Sequence, residues 1–241
     1  MRILITNDDG IQAPQLIPLV KWAKKLGDVT VAAPKVEQSG KSHGIELRKA
    51  FEAKPVDLVP GVTAYSVDST PADCIRYMML GRKEKFDLVI SGINRGLNMG
   101  QDMMYSGTLA AVYEAVAYGM KAIALSTAPD TYDTAVNQLD MVWDFFCKHD
   151  LLSKNQFYNV NLPHEPKGFH ITYQGGPYYS DDFVPAGEDM IRPQGKCVHV
   201  NGGNLDMDCD AVASGYISVT PLVLQRANME LFHSLSANLN V

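Results

Sequence analysis

RILITNDDGIQAPQLIPLVKWAKKLGDVTVAAP, residues 2–34, decides the fold class. Residues 2–6 are a short apolar run with β-branched character, which reads as a buried strand. Residues 13–26 repeat apolar positions at helical spacing, with Pro14 suited to a first helical turn and Gly27 as the stop. Residues 29–33 are a second strand, closed by Pro34. A strand, a helix and a strand within about 33 residues make one βαβ unit. Asn7-Asp8-Asp9-Gly10 stands at the end of the first strand, where two adjacent carboxylates need an explanation.

The alternation continues downstream. Strand 63–67 precedes Thr70-Pro71-Ala72-Asp73, a capping box with proline just inside a helix over 71–80. Strand 86–91, a glycine-rich loop, a helix near 107–118, strand 121–126 and a helix over 134–148 follow. Continuous apolar strands of this kind belong to a mostly parallel sheet covered by helices on both faces, a Rossmann-like α/β arrangement. Beyond residue 155 the pattern changes. Candidate strands at 157–162, 169–174, 196–201 and 216–220 have no helix between them, and 175–195 reads as a long irregular stretch. The expectation is a single domain: an α/β core over 1–155 and a β-rich extension over 156–241 ending in an arm.

With 241 residues, 46% hydrophobic, the chain can bury one sizeable core. Its net charge of −6 argues against a nucleic-acid polymer or an anionic membrane surface as the main partner. It does not exclude a small anion held by a cation or by backbone N–H groups. Cys74, Cys147, Cys197 and Cys209 form no close pair, and no run of 18 apolar residues occurs. These features predict a cytoplasmic protein with reduced thiols and no zinc site built from cysteine.

In an open α/β sheet, ligands bind beyond the carboxyl ends of the strands. Three such ends carry polar chemistry here. Asn7-Asp8-Asp9-Gly10 could be a plain turn, but a turn needs only one of its acids, and a hard divalent cation relieves the repulsion of two. Residues 33–44, APKVEQSGKSHG, could be a turn with a solvated Lys41 and His43, or could offer the Ser39 hydroxyl as a further oxygen ligand. Residues 91–115 hold Gly92, Gly96, Gly100 and Gly107 around Asn94, Asn98 and Ser106. That stretch is either a long turn capped by Ser106 or Thr108, or a nest of N–H groups at a helix start that suits phosphate. Together, carboxylates, a hydroxyl and an amide oxygen beside a phosphate-sized nest point to phosphoryl-group hydrolysis.

The blocks I-L-I-T-N-D-D-G-I-x-A-P, E-Q-S-G-x-S-H, V-D-x-T-P-A-D-C, S-G-I-N-x-G-x-N-x-G-x-x-x-x-Y-S-G-T and G-Y-I-S-V-T-P-L resemble those of the survival protein E (SurE) family of 5′/3′-nucleotidases. The resemblance implies a metal-dependent hydrolase of nucleoside 5′- and 3′-monophosphates, extending to short polyphosphate, with one Mg²⁺ or Mn²⁺ per subunit. It implies Asp8, Asp9, Ser39 and Asn94 as metal ligands, with Asp8, Asp9, Asn94 and Ser106 central to catalysis. Phosphate would be held by Ser39, Gly40, His43, Asn98, Ser106, Gly107 and Thr108. It also implies a C-terminal arm, from about residue 220, that exchanges with a partner to give dimers or tetramers. Ser69 stands where the family commonly has glycine, and 175–205 aligns with no substrate-side loop.

Two other readings use similar residues. Zinc deacetylases with an Asp-Asp pair need a histidine before it and two more downstream, whereas residue 7 is Asn and the six histidines show no H-x-x-H. A non-catalytic, metal-dependent nucleotide sensor would present the same pocket without turnover.

Overall fold

The computed structural model describes residues 1–239. Its central sheet has nine strands: β1 (Arg2–Thr6), β2 (Asp28–Pro34), β3 (Ala53–Pro55), β4 (Thr63–Val67), β5 (Leu88–Arg95), β6 (Lys121–Thr127), β7 (Phe157–Leu162), β8 (Phe169–Ile171) and, after a separate hairpin, β11 (Ile217–Leu222). Their order across the sheet is β3-β4-β2-β1-β5-β6-β7-β11-β8. The six strands from β4 to β7 run parallel, while β3 pairs antiparallel to β4, and β11 pairs antiparallel to β7 and parallel to β8.

Period-2 side-chain alternation divides the interior into two cores. Ile3 and Ile5 of β1 face one way, with Leu88 and Ile90 of β5, against Leu16, Leu19 and Val20 of α1 (Leu16–Ala23). Leu139, Val142 and Phe146 of the later helix α4 (Leu139–Lys148) join that layer. Leu4 and Val89 face the other way, against Ile75 of α2 (Pro71–Arg76) and Leu109 and Val112 of α3 (Gly107–Ala117). Each such fully buried aliphatic side chain contributes about 1.5–3 kcal/mol. Both sheet faces are thereby covered, as the apolar strands require.

Several elements differ from expectation. The first helix is shorter than 13–26, and residues 132–138 preceding α4 form a 3₁₀ turn. The sheet does not stop at residue 155: β7 adds in parallel beside β6, and β11 and β8 complete that edge. Residues 169–174 are strand only to Ile171. The 175–195 stretch is not irregular. It holds most of an antiparallel hairpin, β9 (Tyr179–Gly187) with β10 (Met190–Cys197), turning through Glu188 and Asp189. The strand expected at 196–201 is the end of β10, set several residues earlier. Every hairpin residue except Val184 is exposed, so no buried face imposed an apolar alternation that could be read.

Three short or late helices also went unpredicted: α5 (Leu151–Lys154), α6 (Asp208–Ala213) and α7 (Met229–Leu239). The first two span four and six residues, too few for a helical period to register. Residues 220–222, placed at the start of the arm, belong to β11 within the sheet. The last two residues of that arm, 240 and 241, lie outside the described residues.

Candidate active site

The chain leaves β1 through α1 to build β2 and β4 on one side, then returns through α2 to lay β5 on the other. The carboxyl ends of β1 and β5 therefore part at the point where the winding reverses, which opens a crevice there.

At the end of β1, Asn7 closes the turn by itself. Its Oδ1 accepts from the Gly10 N–H at 3.1 Å and its Nδ2 donates to the Gly10 carbonyl at 2.9 Å. The two carboxylates that follow are thus not needed for the turn. Asp8 is 3% exposed, and its Oδ1 accepts from the Thr108 hydroxyl in the first turn of α3. Asp9 Oδ2 accepts from the Arg95 N–H at the end of β5, 3.1 Å away. No Lys, Arg or His forms an ion pair with either acid among the described residues. Burial, and second the Asp8 charge, push the Asp9 carboxyl up to about 6; burial raises Asp8 as well, against the Thr108 hydrogen bond.

The other oxygen donors arrive from two directions. Asn94 lies where β5 slips register against β6, and its Nδ2 donates to the Gly96 carbonyl at 2.8 Å, which leaves Oδ1 as the free end. That slip demands glycine at residue 92, where a Cβ would stand 2.4 Å from the Leu125 carbonyl oxygen. Ser39 is exposed beside Gly40 in the turn after β2; its neighbour Gln38 donates its N–H to the Asp8 carbonyl at 2.7 Å. The structure thus gathers Asp8, Asp9, Asn94 and the Ser39 turn at one end of the sheet.

The start of α3 abuts this group. Ser106 caps the helix, its Oγ accepting from the Leu109 N–H at 3.1 Å. Gly107 packs on Asp8 so closely that a Cβ would lie 2.9 Å from Asp8 Cβ and 3.1 Å from its Oδ2. Gly107→Ala should therefore destabilise the fold by about 1–3 kcal/mol, as overpacking does, and displace Asp8. Chemical denaturation would read the first effect and cation titration the second; wild-type values in both would contradict the packing.

Not every candidate meets the site in the same way. The Thr108 hydroxyl is committed to Asp8, so it positions a carboxylate, and only its backbone N–H remains for an anion. Asn98 belongs to a buried amide network: its Nδ2 donates to Ser126 Oγ at 2.8 Å, and its backbone exchanges hydrogen bonds with the side chains of Asn159 and Asn161. His43, implied as a phosphate holder, is engaged on one ring nitrogen. Its Nε2 sits 2.8 Å from Glu114 Oε2 on α3. Behind Glu114 stands Arg76, 3.6 Å away, which pairs with the buried Asp73 at 3.3 Å. Beside this chain a cleft of about 320 Å³ runs along α3, lined by His43, Met103, Ser106, Tyr113, Gln174 and Arg226 among others.

Sequence reasoning passed over Glu114, Asp208 and the Asn159–Asn161 pair. Asp208, fully buried, accepts from the N–H groups of Gly100, Gly175 and Cys209 and so fixes the glycine loop. The asparagines carried a legible signal: two residues apart in an apolar strand, they share a face and need partners there. Glu114 carried none, being 71 residues from His43.

The donor set suits a cation. Among the described residues no three His, Cys, Asp or Glu side chains converge, so a metal here would combine two carboxylates with neutral oxygens, the chemistry of Mg²⁺ or Mn²⁺. One consequence concerns pH. A carboxyl raised above its unfolded value binds more protons in the folded state, so between about pH 4 and 6 it costs stability as pH rises. In chelator, the Tm advantage of Asp9→Asn over wild type should widen across that interval and level off above it. A constant difference from pH 4 to 7 would contradict the raised carboxyl.

Comparison with known proteins adds to this geometry. The family model described as Survival protein SurE matches residues 3–181. A 5′-nucleotidase SurE from Thermosipho melanesiensis is 36% identical over 249 residues, covering 98% of this chain and 96% of its own length. One from Acinetobacter baumannii is 36% identical over 262 residues, covering 99% and 100%. The crystal structure of the SurE protein from Aquifex aeolicus superposes with a TM-score of 0.79 at 28% identity, covering 98% and 99%.

Proposed function

Since the chain belongs to the Survival protein SurE family, we propose that it is a metal-dependent 5′-nucleotidase working at the crevice between β1 and β5. The observation that carries this reading is the contact of Asp8 with Gly107 and Thr108. It sets two carboxylates that make no ion pair among the described residues against a helix N-terminus, which supports reading the two as adjoining cation and anion sites. Phosphoryl transfer needs that adjacency, because the phosphate dianion must be both neutralised and held.

Asp8, Asp9, Ser39 and Asn94 would hold one Mg²⁺ or Mn²⁺. Such a cation, when bound, neutralises phosphate charge and lowers the pKa of a coordinated water. The remaining work belongs to the chain. The N–H groups at the start of α3, with Ser106 and Gly107, bind the phosphate oxygens. Gly40 and Asn98, the latter held by its amide network, would add to the phosphate site. The cleft along α3 receives the nucleoside, with Met103 and Tyr113 offering apolar surface and Gln174 and Arg226 polar ends. The proposal covers 5′- and 3′-monophosphates and short polyphosphate.

The enzyme would act as a homodimer or homotetramer. Val223, Leu224, Leu231, Phe232 and Leu235 are each 44% or more exposed on the chain's last segment, and Phe183 and Ile191 are exposed on the hairpin. Apolar side chains in this number are a surface for a second copy. No described helix is long and apolar enough to cross a membrane, and the cytoplasm is the proposed location.

Phosphate release from a panel of 5′- and 3′-nucleoside monophosphates, with Mg²⁺ or Mn²⁺ present, tests the reading. Turnover of 5′-monophosphates is expected. Tight nucleotide binding without phosphate release would favour the sensor instead.

A further inference from the structure

Expelling a nucleoside from its monophosphate breaks the bond between phosphorus and a sugar oxygen. That oxygen would depart as an alkoxide, a poor leaving group unless it gains a proton as the bond breaks. The residues proposed to hold the phosphate are poor proton sources: the Thr108 hydroxyl donates to Asp8, and Ser106, whose Oγ accepts from the Leu109 N–H, is a neutral alcohol, no stronger an acid than the sugar hydroxyl it would have to protonate.

The cleft supplies a better source. Ser106, Leu109, Ala110 and Tyr113 of the α3 segment line the cleft, and Glu114, one turn beyond Ala110, stands beside that lining and reaches His43. Three titratable side chains border the cleft: His43, Tyr113 and Arg226. Burial raises the Tyr113 hydroxyl above its ordinary value, so it keeps its proton, and a guanidinium does not release one. Imidazole is the group that exchanges a proton near neutrality.

His43 is also fixed in place. Glu114 Oε2 lies 2.8 Å from its Nε2, and Arg76 and Asp73 brace the carboxylate from behind. Nδ1 makes no hydrogen bond among the described residues and is the ring atom left for a ligand. Asp8 meets the start of α3 at Gly107, while Asp9 lines a different hollow with Pro14, Arg95 and Tyr132. A phosphate at the α3 N-terminus therefore has the carboxylates to one side and the His43 cleft to the other. In-line displacement needs that separation, since attacking and leaving oxygens stand on opposite sides of phosphorus.

We propose that His43 is the general acid of the reaction and that Glu114 is its positioning residue. As water oxygen bonds to phosphorus, the phosphorus–sugar oxygen bond breaks and its electron pair goes to the sugar oxygen. That oxygen takes the Nδ1 proton of His43. The proton released by the attacking water returns to the imidazole through solvent, so nucleoside and phosphate are the only products. This assignment rests on the nucleotidase reading.

The test compares two leaving groups. p-Nitrophenyl phosphate expels a stable phenolate that needs no proton, whereas a nucleoside 5′-monophosphate expels an alkoxide. With Mn²⁺ present, His43→Gln should lose about 100-fold or more in kcat on the nucleotide, the size of a general-acid contribution. On the aryl ester its loss should stay within about tenfold. Glu114→Gln should show the same selectivity at roughly a tenfold loss, and it keeps the test available should His43→Gln fold poorly. Equal losses on both substrates would overturn the general-acid role alone, because a purely structural or phosphate-holding histidine does not discriminate leaving groups. If wild-type protein releases phosphate from neither substrate, the nucleotidase reading falls and takes this one with it.

Discussion

Asp9→Asn should lower kcat on a nucleoside 5′-monophosphate by about two orders of magnitude or more, the scale of losing electrostatic stabilisation at the reacting phosphate. The substitution keeps the size of the side chain and its ability to accept from the Arg95 N–H, so the link between β1 and β5 survives. What it removes is one of two charges that form no ion pair among the described residues. Cation affinity falls with that charge, while the metal-free fold gains, since the Asp8–Asp9 repulsion that helps lift the Asp9 carboxyl to about 6 is gone. A loss of activity with unchanged or higher Tm is therefore the expected signature, measured by steady-state kinetics, calorimetric cation titration and thermal unfolding on one preparation. Ser106→Ala gives the contrast. It strips a cap and weakens phosphate positioning, at about 1 kcal/mol for the cap, yet leaves both acids in place, so KM should rise with cation affinity nearly unchanged. Wild-type turnover and cation affinity in Asp9→Asn would dismiss the metal platform.

Stripping divalent cations should take the wild-type enzyme to the background rate, and Mg²⁺ or Mn²⁺ should restore it. A phosphate dianion approaching two carboxylates meets repulsion that a helix terminus, equivalent to roughly half a charge, does not overcome. Restoration should favour hard cations because the gathered donors are all oxygen. Full activity in excess chelator, with elemental analysis finding no bound metal, would remove the cation from the reaction.

The parts of this fold that were legible share one property: a buried apolar face written locally. Strand β1 alternates Ile3 and Ile5 against Leu4 between two cores, and glycine or proline marks the ends of β1, α1 and β2. The cap at Thr70 was legible because it too is local, though polar, its hydroxyl accepting from the Asp73 N–H three residues on. The hairpin was not, since its side chains face solvent on both sides and no period is imposed. In the site, the residue types could be read but not their pairings. Asp8 and Thr108 are 100 residues apart, and His43 and Glu114 are 71 apart. The sequence supports the hydroxyl of Thr108 equally well as a phosphate ligand; only the folded chain commits it to Asp8.

The reversal of winding between β1 and β5 has a consequence in time. Ile3 pairs with Leu88, and Asp8 waits for Thr108, so no early stretch of chain contains the site even in rudimentary form. During synthesis the first βαβ unit can assemble soon after it emerges, but its acids face an unfilled strand position until β5 docks. Parallel pairings across such separations close slowly, because the loop entropy is lost before the contacts form. The proposed cation site would thus be complete only once β5 and the start of α3 have joined β1, and cation uptake would date that junction, ahead of the later strands β6, β7, β8 and β11.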